Sequence, residues 1–337
     1  MTLSNRQAHH YTRRDFLLRG VGGLAALGLT GFAGGCLRQE YQTSTFISRV
    51  NGYNASLALA IITGMRELGI TRRELADKTI LLKPNLVEVI PGRSHINTSP
   101  AVVRGAIEAF LHFGAKHVLV GEGPGHSRDT LGLAEDSRLL DVLREDRIRF
   151  VDLNYDDVFT IENKSKFSDL KRIHLPSTLR QVDWVVSMPK LKTHHWAGIT
   201  VSMKNLFGLM PGIYYGWPKN VLHYAGLNET ILDINSAVRP NFAIVDGIIG
   251  MEGDGPIMGT PRKAGVIIMG RNLTAVDATA ARVMGIDPKR VSYLSKASGR
   301  LGPIEEKNII QYGESLRSVI TRFELDRSIP AHKNLIS

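Results

Sequence analysis

The stretch from Thr79 to His126 constrains the fold most. A short apolar run, Thr79-Ile80-Leu81-Leu82, opens into Lys83-Pro84-Asn85. A helix-period segment follows from Ser99-Pro100 to Phe113, with Ser99 as the expected cap, proline at the first helical position and Gly114 as the stop. A second apolar run, His117-Val118-Leu119-Val120, then opens into Gly121-Glu122-Gly123-Pro124-Gly125-His126. Strand, helix and strand at this spacing make a βαβ crossover, and such crossovers join parallel strands. The two loops leave the same edge of the sheet, so Lys83 and His126 are expected together.

The remaining pattern extends this unit. Asn54 to Leu68 has helical periodicity with Gly69 as its stop. A charged helix is expected over Asp136 to Glu145, and short strands near Phe150-Val151 and Phe159-Thr160-Ile161. Val182 to Met188 reads as a buried strand ending at Pro189. After a helix around Leu227 to Val238 come a strand at Phe242 to Gly247, an acidic loop from Met251 to Pro256, a strand at Ala264 to Met269 and a tightly packed helix at Ala275 to Ala281. The expected fold is α/β: a mostly parallel sheet flanked by helices over residues 49–240, with a smaller C-terminal α/β lobe over 241–337 and the site between the two.

Chemistry concentrates after Pro189. Lys190-Leu191-Lys192-Thr193-His194-His195-Trp196-Ala197-Gly198, continuing through Lys204-Asn205 and Met210-Pro211-Gly212 to His223, holds three of the eleven histidines and two of the three tryptophans. It follows a buried strand, where α/β sheets present ligand-binding loops. Imidazoles there donate, accept or ligate metals, and lysines can be tuned into nucleophiles or covalent anchors. A basic, glycine-rich surface loop would read the same way. The acidic residues Glu252 and Asp254 could add acid–base groups or metal ligands, or form a solvated turn.

The first 36 residues read as an address. Thr12-Arg13-Arg14-Asp15-Phe16-Leu17-Leu18 resembles the twin-arginine export signal, and the apolar run Val21 to Gly35 is shorter than the ~20 residues of a membrane span. The translocase of that route is then a transient partner, residues 37–48 are a linker, and the mature protein is periplasmic or held in the cell envelope. Cys36 closes a weak lipobox, Ala33-Gly34-Gly35-Cys36, and could carry a lipid tether. It is the only cysteine, so an internal disulfide and an iron–sulfur cluster are both excluded. Removing the signal lowers the formal charge from +10 to about +7. The excess is spread out, with no basic helix or aromatic stripe, which points to a small anionic ligand or an anionic membrane and away from nucleic acid.

Several spaced motifs carry a resemblance. Leu82-Lys83-Pro84-Asn85-Leu86, Thr98-Ser99-Pro100, Gly114-Ala115-Lys116, Lys190-Leu191-Lys192-Thr193-His194, Met203-Lys204-Asn205-Leu206-Phe207-Gly208 and Val245-Asp246-Gly247 resemble the domain-of-unknown-function 362 family over about residues 50 to 300. A more distant likeness links His194-His195-Trp196-Ala197-Gly198, Lys204, Pro211-Gly212-Ile213 and His223 to the active-site segment of nickel-pincer lactate racemases. That likeness implies a cofactor, a nickel-pincer nucleotide or a divalent metal, with Lys204 as its covalent anchor and His223 as the nickel ligand. It also implies His126 and His194 as a proton-transfer pair, and Lys83, Asn85 and His195 as neighbours of the cofactor. The implied reaction is racemisation, epimerisation or oxidation of a small hydroxy acid by hydride and proton transfer. The chain departs from the racemases in having no arginine beside Lys83-Pro84-Asn85 and Val201-Ser202 in place of a glycine pair. Two other classes stay open: a metal-dependent enzyme using His126, His194, Glu252 and Asp254, and a non-catalytic exported ligand-binding lipoprotein.

Overall fold

The computed structural model describes residues 42–126 and 129–335. The signal segment and Cys36 lie outside the described residues. Among those described, no helix is long and apolar enough to cross a membrane.

The βαβ unit forms as its sequence dictates. β1 (Thr43–Arg49) and α1 (Leu57–Glu67) precede it; then come β2 (Thr79–Pro84), α2 (Pro100–His112) and β3 (His117–Glu122). Gly69 and Gly114 end the two helices at φ +72° and +90°, a backbone region that disfavours any side chain. Ser99 makes no side-chain cap; its backbone N–H donates instead to Asp246 Oδ2 at 3.0 Å, a partner from a distant strand. Next are β4 (Arg149–Asp152), β5 (Val158–Glu162), β6 (Arg172–Pro176) and β7 (Trp184–Met188). The expected charged helix is instead two short ones, Thr130–Asp136 and Leu139–Glu145, broken where Arg138 takes φ +63°. The strand at Phe159 is half of a separate antiparallel hairpin, β5 with β6.

The stretch after Pro189 is built of strands. β8 (Lys190–His194) is buried throughout and turns into β9 (Gly198–Thr200). Then follow α3 (Ser202–Asn205), α4 (Asn220–Tyr224), α5 (Leu227–Val238), β10 (Phe242–Glu252), β11 (Thr260–Arg262), β12 (Val266–Gly270), α6 (Leu273–Val283) and β13 (Ile309–Gly313). Met251 and Glu252, read as loop, are the last residues of β10 because they pair with β11.

The main sheet runs β13-β1-β12-β10-β7-β2-β3-β4, with β8, β9 and β11 attached beyond β10. The pairs from β10 through β7, β2 and β3 to β4 are parallel. The C-terminal lobe takes the form of a mixed flank to this same sheet, in which β12 runs antiparallel to both β10 and β1. Strand residues alternate between two cores. Ile80, Leu82, Trp184, Val186, Phe242 and Ile244 pack with α1 and α2, whereas Leu81, Val185, Ala243 and Val245 pack on the face covered by α5 and α6. A parallel sheet with both faces covered needs such continuous apolar strands. Its carboxyl edge is left to hold ligands.

Candidate active site

At that edge a cavity of about 370 Å³ is lined by the ends of β2, β3 and β8, by β9, and by the segment from α3 to α4. All seven residues singled out above (Lys83, Asn85, His126, His194, His195, Lys204 and His223) line it. The cavity is not between two lobes. Among the described residues Pro256 is its one lining residue beyond 240, and Glu252 and Asp254 do not reach it. Glu252 instead accepts the Glu324 N–H at 2.9 Å, and Asp254 faces His195 Nδ1 at 3.3 Å.

Its floor is a buried ion pair that the sequence did not announce. Lys83, at the end of β2, donates to Glu122 Oε2 at 2.6 Å, to Pro84 O at 2.6 Å and to Asn205 Oδ1 at 3.2 Å. Glu122, the last residue of β3, also accepts the N–H groups of Leu86 and Gly123. Burial pulls the lysine down and pushes the carboxyl up, and the charge and hydrogen bond of each partner oppose that shift. Asn205 ties this floor to α3 by donating to Lys83 O and Ser187 Oγ. Gly208 passes so close that a methyl group there would collide with the Glu122 carboxylate and the Lys83 amine.

Lys204 sits on α3, whose first turn is gripped by Asp277 of α6. That carboxylate accepts the N–H of Ser202 at 2.8 Å and of Met203 at 3.1 Å, and is pushed up to about 6 by its burial. The Lys204 Nζ lies 3.9 Å from the centre of the Phe207 ring. Burial, then the charge of Lys83, brings its pKa down to about 7. Lys219, which the sequence reading passed over, is a second such amine. It is buried, bonded to Asn154 Oδ1 and Met210 O, and lowered to about 7 chiefly by burial. No local pattern marks Lys219; only the fold brings it to the wall.

The four histidines differ in what their rings can do. His194 Nδ1 accepts the N–H of Trp196 at 3.0 Å and of Ala197 at 3.3 Å, which leaves the proton on Nε2. Burial and then Lys204 hold its pKa well below the usual imidazole range, so it is a neutral N–H donor at pH 7. His223 has the opposite tautomer. Its Nδ1–H donates to Lys219 O at 3.1 Å, leaving Nε2 as a free lone pair, and its pKa falls to about 4, mainly through burial. His195 pairs with Asp254, and His126 is exposed at the rim.

The donor set suits one of the implied cofactors and not the other. Among the described residues no group of three or more His, Cys, Asp or Glu side chains is placed to hold a metal ion. A divalent metal caged by protein ligands therefore does not fit. A group that brings its own metal ligands, and needs one amine for attachment and one imidazole lone pair, fits Lys204 and His223.

The family model of a domain of unknown function, DUF362, matches residues 80–282, a range that includes every lining residue of the cavity. A thylakoid-associated protein of Synechocystis sp. is 29% identical over 267 residues, covering 77% of this chain and 79% of its own length. Two solved structures align loosely. One is a Thermotoga maritima protein (TM-score 0.39, 14% identity, 66% of this chain and 58% of its own). The other is the lactate racemase apoprotein of Thermoanaerobacterium thermosaccharolyticum (TM-score 0.37, 13% identity, 61% and 51%). The chain thus spans little more than half the length of either structure. With the matched range covering well over half of its residues, this chain belongs to the domain-of-unknown-function 362 family.

Proposed function

We propose that the cavity binds a small anionic substrate and that the protein is an enzyme of hydroxy-acid chemistry, a racemase, epimerase or oxidoreductase. One observation carries this. Among the described residues, four lysines and four histidines line the cavity against a single carboxylate, Glu122, which Lys83 already engages. These are N–H donors that burial holds toward their neutral forms, and an anion entering the low-dielectric site supplies the counter-charge that draws them back toward the protonated state.

Each residue then has a task set by its own chemistry. Lys204, half deprotonated near pH 7, is the amine able to form a covalent bond to a cofactor. His223 offers Nε2 to a metal that such a cofactor carries. A nickel-pincer nucleotide, when bound, would supply the hydride acceptor. His194 donates Nε2–H to the substrate oxygen and holds it in place, while His126 at the rim takes the hydroxyl proton and returns it. Lys83, Asn85 and His195 complete the polar wall around the ligand.

Export through the twin-arginine translocase, with Cys36 as a tether, belongs to the same proposal. It is supported by Arg13-Arg14 and by the thylakoid association named for the Synechocystis relative. The test is peptide mass mapping and elemental analysis of protein purified from its own host. The expected result is an adduct on Lys204 with bound nickel and interconversion of a hydroxy acid. Unmodified Lys204 together with no turnover of any hydroxy acid would remove the enzymatic reading.

A further inference from the structure

Two polar groups in the cavity wall have no partner among the described residues. Asn85 is 8% exposed and Thr200 is 5% exposed, yet Asn85 Oδ1 and the Thr200 hydroxyl make no hydrogen bond to any described residue. Folded interiors pair nearly all such groups, so two orphans in one cavity mark where a ligand completes the set. Thr200 stands directly opposite Lys192 in the β8–β9 ladder. Lys192 is fully buried and reaches the carbonyls of Ile96 at 2.9 Å and Pro256 at 3.4 Å, and no carboxylate among the described residues pairs with it. An ammonium has three protons, so one remains to give.

The same loop holds all of this together. Ile96 lies two residues before Thr98, whose Oγ1 accepts the Asn85 N–H at 3.0 Å and whose N–H donates to Asn85 O at 2.9 Å. Asn85 and Lys192 are thus fixed to one short segment, and Thr200 is fixed beside Lys192.

We propose that Lys192, Thr200 and Asn85 form a subsite for the acid end of the ligand. The carboxylate accepts from the Lys192 amine and the Thr200 hydroxyl, and the neighbouring hydroxyl donates to Asn85 Oδ1 in the resting complex, before His126 takes its proton. This rests on reading the cavity as an anion site and goes further by naming the end that is held and the groups that hold it. The ligand class is a 2-hydroxy carboxylate, gripped so that its reacting carbon is turned toward the rest of the cavity. Without a ligand, burial and the nearby Lys190 and Lys204 charges keep the Lys192 pKa well below its usual value. An arriving carboxylate supplies the missing counter-charge.

The experiment is titration calorimetry of the full-length protein with lactate, propionate and lactamide, on wild type, Thr200→Val and Asn85→Leu. Lactate should bind wild type best, propionate less for want of the hydroxyl, and lactamide least for want of charge. Thr200→Val should weaken lactate about tenfold, the size of one hydrogen bond to a charged group. Its unfolding midpoint should not fall, since the hydroxyl has no partner to lose. Asn85→Leu should narrow the preference for lactate over propionate, leaving the part that His194 and His126 supply. If both variants bind lactate like wild type, the orphans are unsatisfied groups of the fold only; the subsite is then overturned while the anion cavity stands. If none of the acids binds wild type, both readings fall.

Discussion

Lys190 and Lys192 stand two residues apart on the same side of β8, both fully buried, and their surroundings differ. Lys190 is closed in. It donates to Asp246 Oδ2 at 2.7 Å and to the Tyr53 hydroxyl at 2.9 Å, and Tyr53 donates to Asp246 Oδ1 at 3.0 Å. Asp246 also receives the N–H of Ser99, so this network locks β8, β10 and the start of α2 together. Lys192 has two carbonyls, an orphan hydroxyl opposite and open space. A buried charge with every partner present is scaffold; one left incomplete at a cavity wall is waiting for a ligand.

Breaking the closed network should have the largest effect. Asp246→Ala strands a buried lysine and is expected to cost about 3–5 kcal/mol in urea unfolding. A loss below about 1 kcal/mol would mean the pair is not the lock described. Gly208→Ala comes next, because its methyl group displaces Glu122 and Lys83 from the cavity floor. Overpacking of this kind costs about 1–3 kcal/mol, read in the same assay. At the open end, Thr200→Val should change stability by less than about 1 kcal/mol, in the stabilising direction. A clear loss there would show that the hydroxyl has a structural partner and would erase the contrast between the two ends of β8.

The fold was legible where the pattern is local. The βαβ unit, the helices at Leu57 and Leu227 and the strand at Phe242 follow from periodicity, proline and glycine. β8 was not. Lysine at alternate positions, Lys190 and Lys192, reads as a wet loop, because what makes the burial tolerable lies far along the chain. Asp246 is 56 residues from Lys190, and Ile96 is 96 residues from Lys192. The members of the site were visible as residue types, and sheet topology alone was enough to bring Lys83 and His126 to one edge. Their protonation was not visible. His194 and His223 look alike in sequence and carry opposite tautomers, because one accepts from backbone N–H groups and the other donates to a carbonyl.

The open region presents Lys204 as an amine that is about half uncharged at pH 7. Reductive labelling of the lysines with formaldehyde and cyanoborohydride, on protein whose Lys204 carries no adduct and mapped peptide by peptide from pH 5 to 10, tests it most directly. With its pKa near 7, Lys204 is about half free amine at pH 7, against about one in 2,500 for a surface lysine of pKa ~10.4. Its labelling should therefore rise with pH through a midpoint near 7 and level off above 8, and added lactate should suppress it. A Lys204 that labels along with exposed lysines, still rising at pH 10 and indifferent to lactate, would contradict the account.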